Sequence, residues 1–564
     1  MAVTREADRS AGINPDTLRT TIQGLVDDCA ARGLIAPADR VWAYNTVLDM
    51  IGCTRPGPHD GWARRGHAMP GTDAAASSSA AEPTELPVPF DMDAALERLS
   101  RAAAAAGVVE DTASGRDRAA MRIMGALMPR PSQVAHDVHA LLAAGRPREA
   151  TQRFYQLCCD AGYVRRSAIA RNISWNVSTR WGTLEITINL SKPEKDPRDI
   201  AAAGAARPSG EAYPACQLCI ENEGYPGRGA SDGGAHPARQ NLRIVPITLG
   251  GERWGLQYSP YAYFNEHCIA MSAEHRPMHI DETALDCLLD FVDLLPHYFI
   301  GSNADLPVVG GSILSHDHFQ GGAHEFPMMK AEVASTFSMS DFPGVSGAVL
   351  VWPLSVLRLR GRNRNEVTAA AAHVMQAWRA WSDEAAGVVA HSADDTPHNT
   401  VTPIVRRTPT TNEHDADGYE VCLALRCNIT SDEHPLGVFH PHAEYHHIKR
   451  ENIGLIEVMG LAILPPRLKD EMATVERILL DGAAAGHSPA TVLAELEVSQ
   501  NAASHAAWAA DVFERRLEEL SSGNAHDVIQ QEVGEVFSHV LENAGVFKWD
   551  AAGRAAQQRF IDSL

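Results

Sequence analysis

Gly310-Gly311-Ser312-Ile313-Leu314-Ser315-His316-Asp317-His318-Phe319-Gln320-Gly321-Gly322 is the stretch on which the reading of this chain turns. Two glycine pairs bracket His-x-His-x-Gln. If the middle is extended, alternation puts His316, His318 and Gln320 on one face and Asp317 and Phe319 on the other. The glycines allow close backbone approach to a ligand, or a positive φ. A neutral imidazole can bind a metal, shuttle a proton or attack phosphorus. An amide beside it can donate to a phosphate oxygen. Taken alone, the run also fits two exposed histidines in a loop, so the rest of the chain has to decide.

Working outward, a helix is expected over 281–295, with Leu285, Leu288, Leu289, Val292 and Leu295 on one face. Before it, Tyr258–Ile269 is aromatic and β-prone, and Ile244–Leu249 reads as an apolar strand. Further upstream, Leu184, Ile186, Ile188 and Leu190 alternate with polar residues, as in a strand with one buried face. That strand runs into Lys192-Pro-Glu-Lys195-Asp-Pro-Arg198, either a solvated charged turn or a phosphate contact at a strand end. A second, similar block follows residue 335. It has strands over 348–360, a helix from Asn365 to Gly387, a polar loop over 391–399 and a strand from Tyr419 to Cys427. His440-Pro-His442 then comes in the order that His316-Asp-His318 has in the first block, which suggests an internal duplication. Helices are expected over 12–55, 92–106, 133–161 and from Pro465 to the end, and 66–88 is read as a flexible Ala/Ser/Pro/Gly-rich insertion.

The chain has 564 residues, 45% of them hydrophobic, and a net charge of −22. That charge argues against broad nucleic-acid or anionic-membrane binding. A small anionic substrate needs only a few local cations. No run reaches the roughly 18 apolar residues of a membrane helix, and the first residues lack a signal peptide's apolar core, so a cytoplasmic protein is expected. Ten cysteines in this length are no disulfide scaffold.

Cys216-x-x-Cys219 has the spacing of two zinc ligands, and a tetrahedral site needs two more. His275 and His316 are the best candidates, with His267 competing for third place. A buried thiol pair with surface histidines is the plain alternative. His440, His442, His446 and His447 form a second cluster beside Glu444, open to metal binding or to substrate contact with Lys449, Arg450, Asn452 and Glu457. Walker, Rossmann and Gly-x-Ser-x-Gly signatures are absent.

Together, Ile188–Pro197, Glu221–Tyr225, His236–Arg239, Gln257–Tyr261, Asn265–Ile269, His297–Gly322 and His440–Leu464 resemble the second class of UDP-glucose:hexose-1-phosphate (galactose-1-phosphate) uridylyltransferases. The resemblance spans roughly residues 12–480. It implies an α+β fold: two tandem histidine-triad-like domains with antiparallel sheets, over 166–335 and 336–470. A helical region over 1–165 and another over 471–564 flank them.

The resemblance further implies His318 as nucleophile and Gln320 as its phosphate partner. Lys192, Lys195, Arg239, Asn303, Gly310, Gly311 and Lys449 become candidate substrate contacts, and Glu457 resembles a sugar-binding glutamate. It implies zinc on Cys216, Cys219, His275 and His316. Ser315 and Asp317 depart from the His-Pro-His-Pro-His run of the first class. The implied partners are UDP-glucose and galactose 1-phosphate, with homodimers possible. An N-acetylhexosamine 1-phosphate acceptor, another histidine-triad phosphorylase or hydrolase, and a non-catalytic sugar-nucleotide binder are the rivals.

Overall fold

The computed structural model describes residues 14–53, 90–191, 213–229, 235–311, 313–408, 418–521 and 523–564. The expected insertion at 66–88 and the cations Lys192 and Lys195 lie outside the described residues. The chain divides into two compact units, 1–167 with 193–245, and 168–192 with 246–564.

The first unit is helical. Asn14 caps Pro15–Ala31 by accepting from the Asp16 N–H, and Pro at the first turn needs no donor there. Ile22, Leu25, Val26 and Cys29 are buried against Tyr44, Val47 and Leu48 of the helix Arg40–Met50. Met92–Ala105 and Ala113–Ala126 add Leu99, Ile123 and Met124 to the same core. The helical run expected over 133–161 is two helices, Pro131–Ala143 and Pro147–Asp160, parted at Gly145, whose φ is 70°. Residues 239–243 lie on this base. A Cβ on Gly125 would sit 2.6 Å from the Gln240 carbonyl, and Arg243 Nε donates to Pro129 O at 2.7 Å. Only glycine permits that approach, and it anchors the segment that carries the Cys-x-x-Cys.

The second unit confirms α+β. Two strands, Ile173–Thr179 (β1) and Gly182–Ile188 (β2), form a hairpin, and β2 also pairs in parallel with Leu461–Leu464. Ten further strands make one sheet. The first half has Val245–Leu249 (β3), Glu252–Tyr258 (β4), Cys268–Ser272 (β5), Phe299–Gly301 (β6) and His318–Gly322 (β7). The second has Val333–Ser338 (β8), Val345–Leu350 (β9), Val356–Gly361 (β10), Asn399–Arg407 (β11) and Tyr419–Cys427 (β12). The order is β3-β4-β5-β7-β6-β11-β12-β10-β9-β8. Each half is three strands, a helix (Glu282–Leu294 or Arg364–Ala380), then two strands, laid out in the same order from the outer edge inward. The duplication is thus real in topology. The halves fuse through the antiparallel pair β6–β11 into one continuous sheet.

The two histidine pairs are not counterparts in that repeat. His318 begins β7, whereas β12, which stands in the equivalent place, ends at Cys427, well before His440. The helix expected to reach Gly387 stops at Ala380. Both crossover helices cover one face of the sheet. The other face carries the core that includes Ile404, Cys422, Ala424, Leu455 and Trp352. Gly301 looks onto that second face, because a Cβ there would meet Leu455 Cδ1 at 2.8 Å. Gly301 pairs with Gln320, so Gln320 and His318 share that face.

Candidate active site

His318 is the first residue of β7, opposite Met271 of β5. Just before it the chain bends, yet two backbone bonds keep it in line. The Asp317 N–H donates to Arg276 O at 2.8 Å, and the Ser272 N–H donates to Asp317 O at 2.9 Å. The His316 carbonyl is thereby fixed, and His318 Nδ1 lies 2.7 Å from it. A carbonyl can only accept, so Nδ1 carries the proton and Nε2 carries the lone pair. Burial pulls the His318 pKa below the ordinary histidine value, which keeps the ring neutral. A neutral imidazole with its tautomer set and Nε2 bare can act as a nucleophile, a base or a ligand.

Phe319 points to the opposite face and stacks on Trp254 at 4.8 Å. Asp317 is also buried there, 3.4 Å from Arg276 Nε, and burial pushes its pKa up to about 6 against that cation. Gln320 Oε1 lies 3.1 Å from His267 Nε2. His267, a rival metal ligand on sequence grounds, is therefore committed to Gln320.

The loop after β6 borders this strand. Asn303 Oδ1 accepts the Leu455 N–H at 2.9 Å, and Asn452 Nδ2 lies 3.4 Å from Gly310 O. A Cβ on Gly310 would come within 2.5 Å of Ala304 O, and one on Gly311 within 2.6 Å of Asn303 Nδ2. Gly310 is dictated by backbone packing, and Gly311 by the Asn303 side chain. Gly310→Ala is expected to cost about 1–3 kcal/mol, seen as a lower urea midpoint. Val308, a β-branched residue, holds φ 72° in the same loop, a strained conformation of the kind that clusters at ligand sites.

Lys449 and Glu457 meet each other. Nζ is 2.9 Å from Oε1 and 3.1 Å from Ile463 O, while Glu457 Oε2 accepts the Gly454 N–H at 3.2 Å. The Lys449 side chain is 3% exposed and that of Glu457 13%. Removing one partner of a buried pair strands the other charge. Lys449→Met is expected to destabilise by about 3–5 kcal/mol in urea unfolding, with Lys449→Met/Glu457→Gln recovering part of it.

In the helical unit, Cys216 and Cys219 Sγ atoms are 3.6 Å apart. The Leu218 N–H donates to Cys216 Sγ and the Cys216 N–H to Cys219 Sγ, each at 3.3 Å; burial pushes the Cys219 thiol up to about 11, and the bond from the Cys216 N–H works against that rise. Asn222 Nδ2 donates to both cysteine carbonyls at 2.8 Å, and His236 holds the other end of that amide at 2.7 Å. This knuckle support by Asn222 and His236 was not foreseen; their only signal was membership of the quoted motifs. Arg239 sits with its guanidinium 5.9 Å from the Tyr163 ring. The rings of His275 and His316 lie 5.0 Å apart. His316 Nε2 is 2.9 Å from Ser272 O, so Nε2 is protonated and Nδ1 is left to ligate.

Cys216 and Cys219 offer two sulfur donors, and His275 and His316 two nitrogen donors. A tetrahedral zinc with its usual bond to sulfur spans about 3.8 Å between two sulfurs, close to the cysteine pair here. This set can hold a metal ion, and among the described residues no other such grouping occurs. His442 and His446 instead donate from Nε2 to the Val438 and Pro441 carbonyls, and His447 pairs with His505 at 2.8 Å.

The N-terminal domain of galactose-1-phosphate uridyl transferase matches residues 81–277, and its C-terminal domain matches residues 291–492. The chain belongs to the galactose-1-phosphate uridylyltransferase family. A relative of that name from Bacillus subtilis (strain 168) is 45% identical over 96% of this chain and 97% of its own length. Another, from Halalkalibacterium halodurans, is 48% identical over 85% of this chain and 89% of its own. The yeast Ap4A phosphorylase crystal structure matches with a TM-score of 0.29 at 13% identity, covering 55% of this chain and 88% of that one. Membership of the family makes the chain a transferase acting in galactose metabolism. Among the described residues, no helix is long and apolar enough to cross a membrane.

Proposed function

We propose that this chain moves a uridylyl group from UDP-glucose to galactose 1-phosphate through a covalent intermediate on His318. The observation that carries the reading is the bond from His318 Nδ1–H to the His316 carbonyl, which leaves Nε2 bare at a glycine-lined strand. In the first half-reaction Nε2 attacks the α-phosphorus of UDP-glucose. An N–P bond forms, the bond from phosphorus to the bridging oxygen breaks, and glucose 1-phosphate leaves as an anion. The ring gains positive charge as the bond forms, and the carbonyl on Nδ1–H stabilises it. In the second, a phosphate oxygen of galactose 1-phosphate attacks and the N–P bond breaks. The acceptor is already an anion, so no general base is required. In this reading Gln320 and the backbone around Gly310 donate to phosphoryl oxygens, and Asn303, Lys449 and Glu457 border the sugar.

We further propose zinc as the metal of the Cys216, Cys219, His275 and His316 set, whose two sulfur and two nitrogen donors suit it. Zinc there would supply a structural tie on His316, the residue whose carbonyl sets the His318 tautomer. A cytoplasmic location belongs to the same reading. The test is an acceptor panel with UDP-glucose labelled in the uridylyl group. Transfer to galactose 1-phosphate with ping-pong kinetics is expected. Preferential transfer to inorganic phosphate or water would replace this reading with a phosphorylase or hydrolase.

A further inference from the structure

His267 has no part in the mechanism above, yet it touches Gln320. Ile269 lies opposite Gln320 across β5 and β7, so His267, two residues earlier, falls diagonal to it on the same face. The ring is 2% exposed and packs beside Phe264 and Tyr263, with centroids at 4.5 and 5.5 Å. Its Nε2 lies 3.1 Å from Gln320 Oε1, and its buried Nδ1 has no partner.

Two arrangements share that contact. In one, His267 Nε2–H donates to Oε1 and Nδ1 keeps a bare lone pair. In the other, the Gln320 amide is turned over and donates to Nε2, which leaves a bare N–H at Nδ1. A buried orphan N–H is rarer than an orphan acceptor, so the first arrangement prevails. A charged ring is not an alternative, because burial pulls the His267 pKa down to about 4. With Oε1 held, both N–H bonds of Gln320 face away from His267, and such a face can only meet an acceptor.

We propose that His267 is a positioning residue that locks the Gln320 amide with its N–H groups turned toward the phosphoryl oxygens of the bound substrate. This rests on the reading of Gln320 as the phosphate partner of His318. Without the lock, the amide can turn and present its oxygen to the phosphate.

The experiment is a double-mutant cycle on steady-state uridylyl transfer. His267→Phe keeps an aromatic ring and removes the donor. It is expected to lower kcat about 10–30-fold with KM for UDP-glucose within about threefold of wild type. In a Gln320→Ala background the same change is expected to cost less than about twofold. His267→Gln, whose amide nitrogen reaches the place of Nε2, is expected to restore most of kcat. His267→Asn, which falls short, is not, and this pair keeps the test valid should the Phe variant fail to fold. An equal loss in both backgrounds, or full activity of the Asn variant, would overturn the role of His267 alone. Unchanged kcat in Gln320→Ala would instead overturn the reading of Gln320 beneath it.

Discussion

His318→Ala is expected to lose about 10⁴-fold or more in uridylyl transfer while still binding UDP-glucose with near wild-type affinity. The magnitude follows from removing a covalent nucleophile whose half-reactions have no alternative route at the site. The side chain is 7% exposed and donates only to a backbone carbonyl, so alanine leaves a small cavity and one unsatisfied acceptor. The fold is therefore expected to survive, with a stability loss of about 1–3 kcal/mol. Two measurements separate chemistry from collapse. Incubating wild type with labelled UDP-glucose and no acceptor should leave label on His318 and release one equivalent of glucose 1-phosphate, whereas the alanine variant should do neither. Calorimetry should show both binding the nucleotide sugar. Label recovered on another residue, or exchange at the wild-type rate in the variant, would remove His318 from the mechanism.

The sequence carried the strand that holds this residue, because glycine pairs and alternating polar groups are local signals. The alternation at Leu184 to Ile188 and the helix Glu282–Leu294 were legible for the same reason. Several strands were missed, β8 and β11 among them. β8 is a mostly exposed edge rich in Ser and Thr, with little apolar patterning to betray it. β11 is almost wholly buried but contains Pro403, which lacks the donor expected of a central strand. The structure tolerates it because Pro403 still accepts the Ser302 N–H at 3.0 Å through its carbonyl. The fusion of the two halves was illegible because pairing of β6 with β11 joins residues about a hundred positions apart. The partners of His318, Gln320 and the Cys-x-x-Cys were hidden for that reason too, or because they are backbone atoms. His316 was named as a metal ligand, yet nothing in its side chain announces that its carbonyl fixes a tautomer.

That second duty of His316 makes the metal set the other sensitive point. Wild-type protein is expected to purify with about one zinc per chain, and Cys216→Ser to hold almost none, because a three-donor remnant binds far more weakly. Structural zinc binding is worth roughly 10 kcal/mol or more in small peptides, and a large unit realises part of that. A loss of about 3 kcal/mol or more is expected here, seen as a thermal midpoint lower by about 5 °C or more. Activity should fall as well, because His316 loses the bond that complements its Nε2–H to Ser272 O and its carbonyl is no longer held under His318. Disturbing such a support typically costs about 10- to 100-fold. The pattern differs from that of His318→Ala, which should keep its zinc and its thermal midpoint within a few degrees while losing chemistry. Adding a strong chelator to wild type should reproduce the Cys216→Ser behaviour, and returning zinc should reverse it for wild type but not for the variant. Wild-type protein free of zinc and fully active, or a Cys216→Ser variant with unchanged metal content, would exclude zinc from this set. His318 would then be held in its tautomer by the backbone bonds of Asp317 with Arg276 and Ser272 alone.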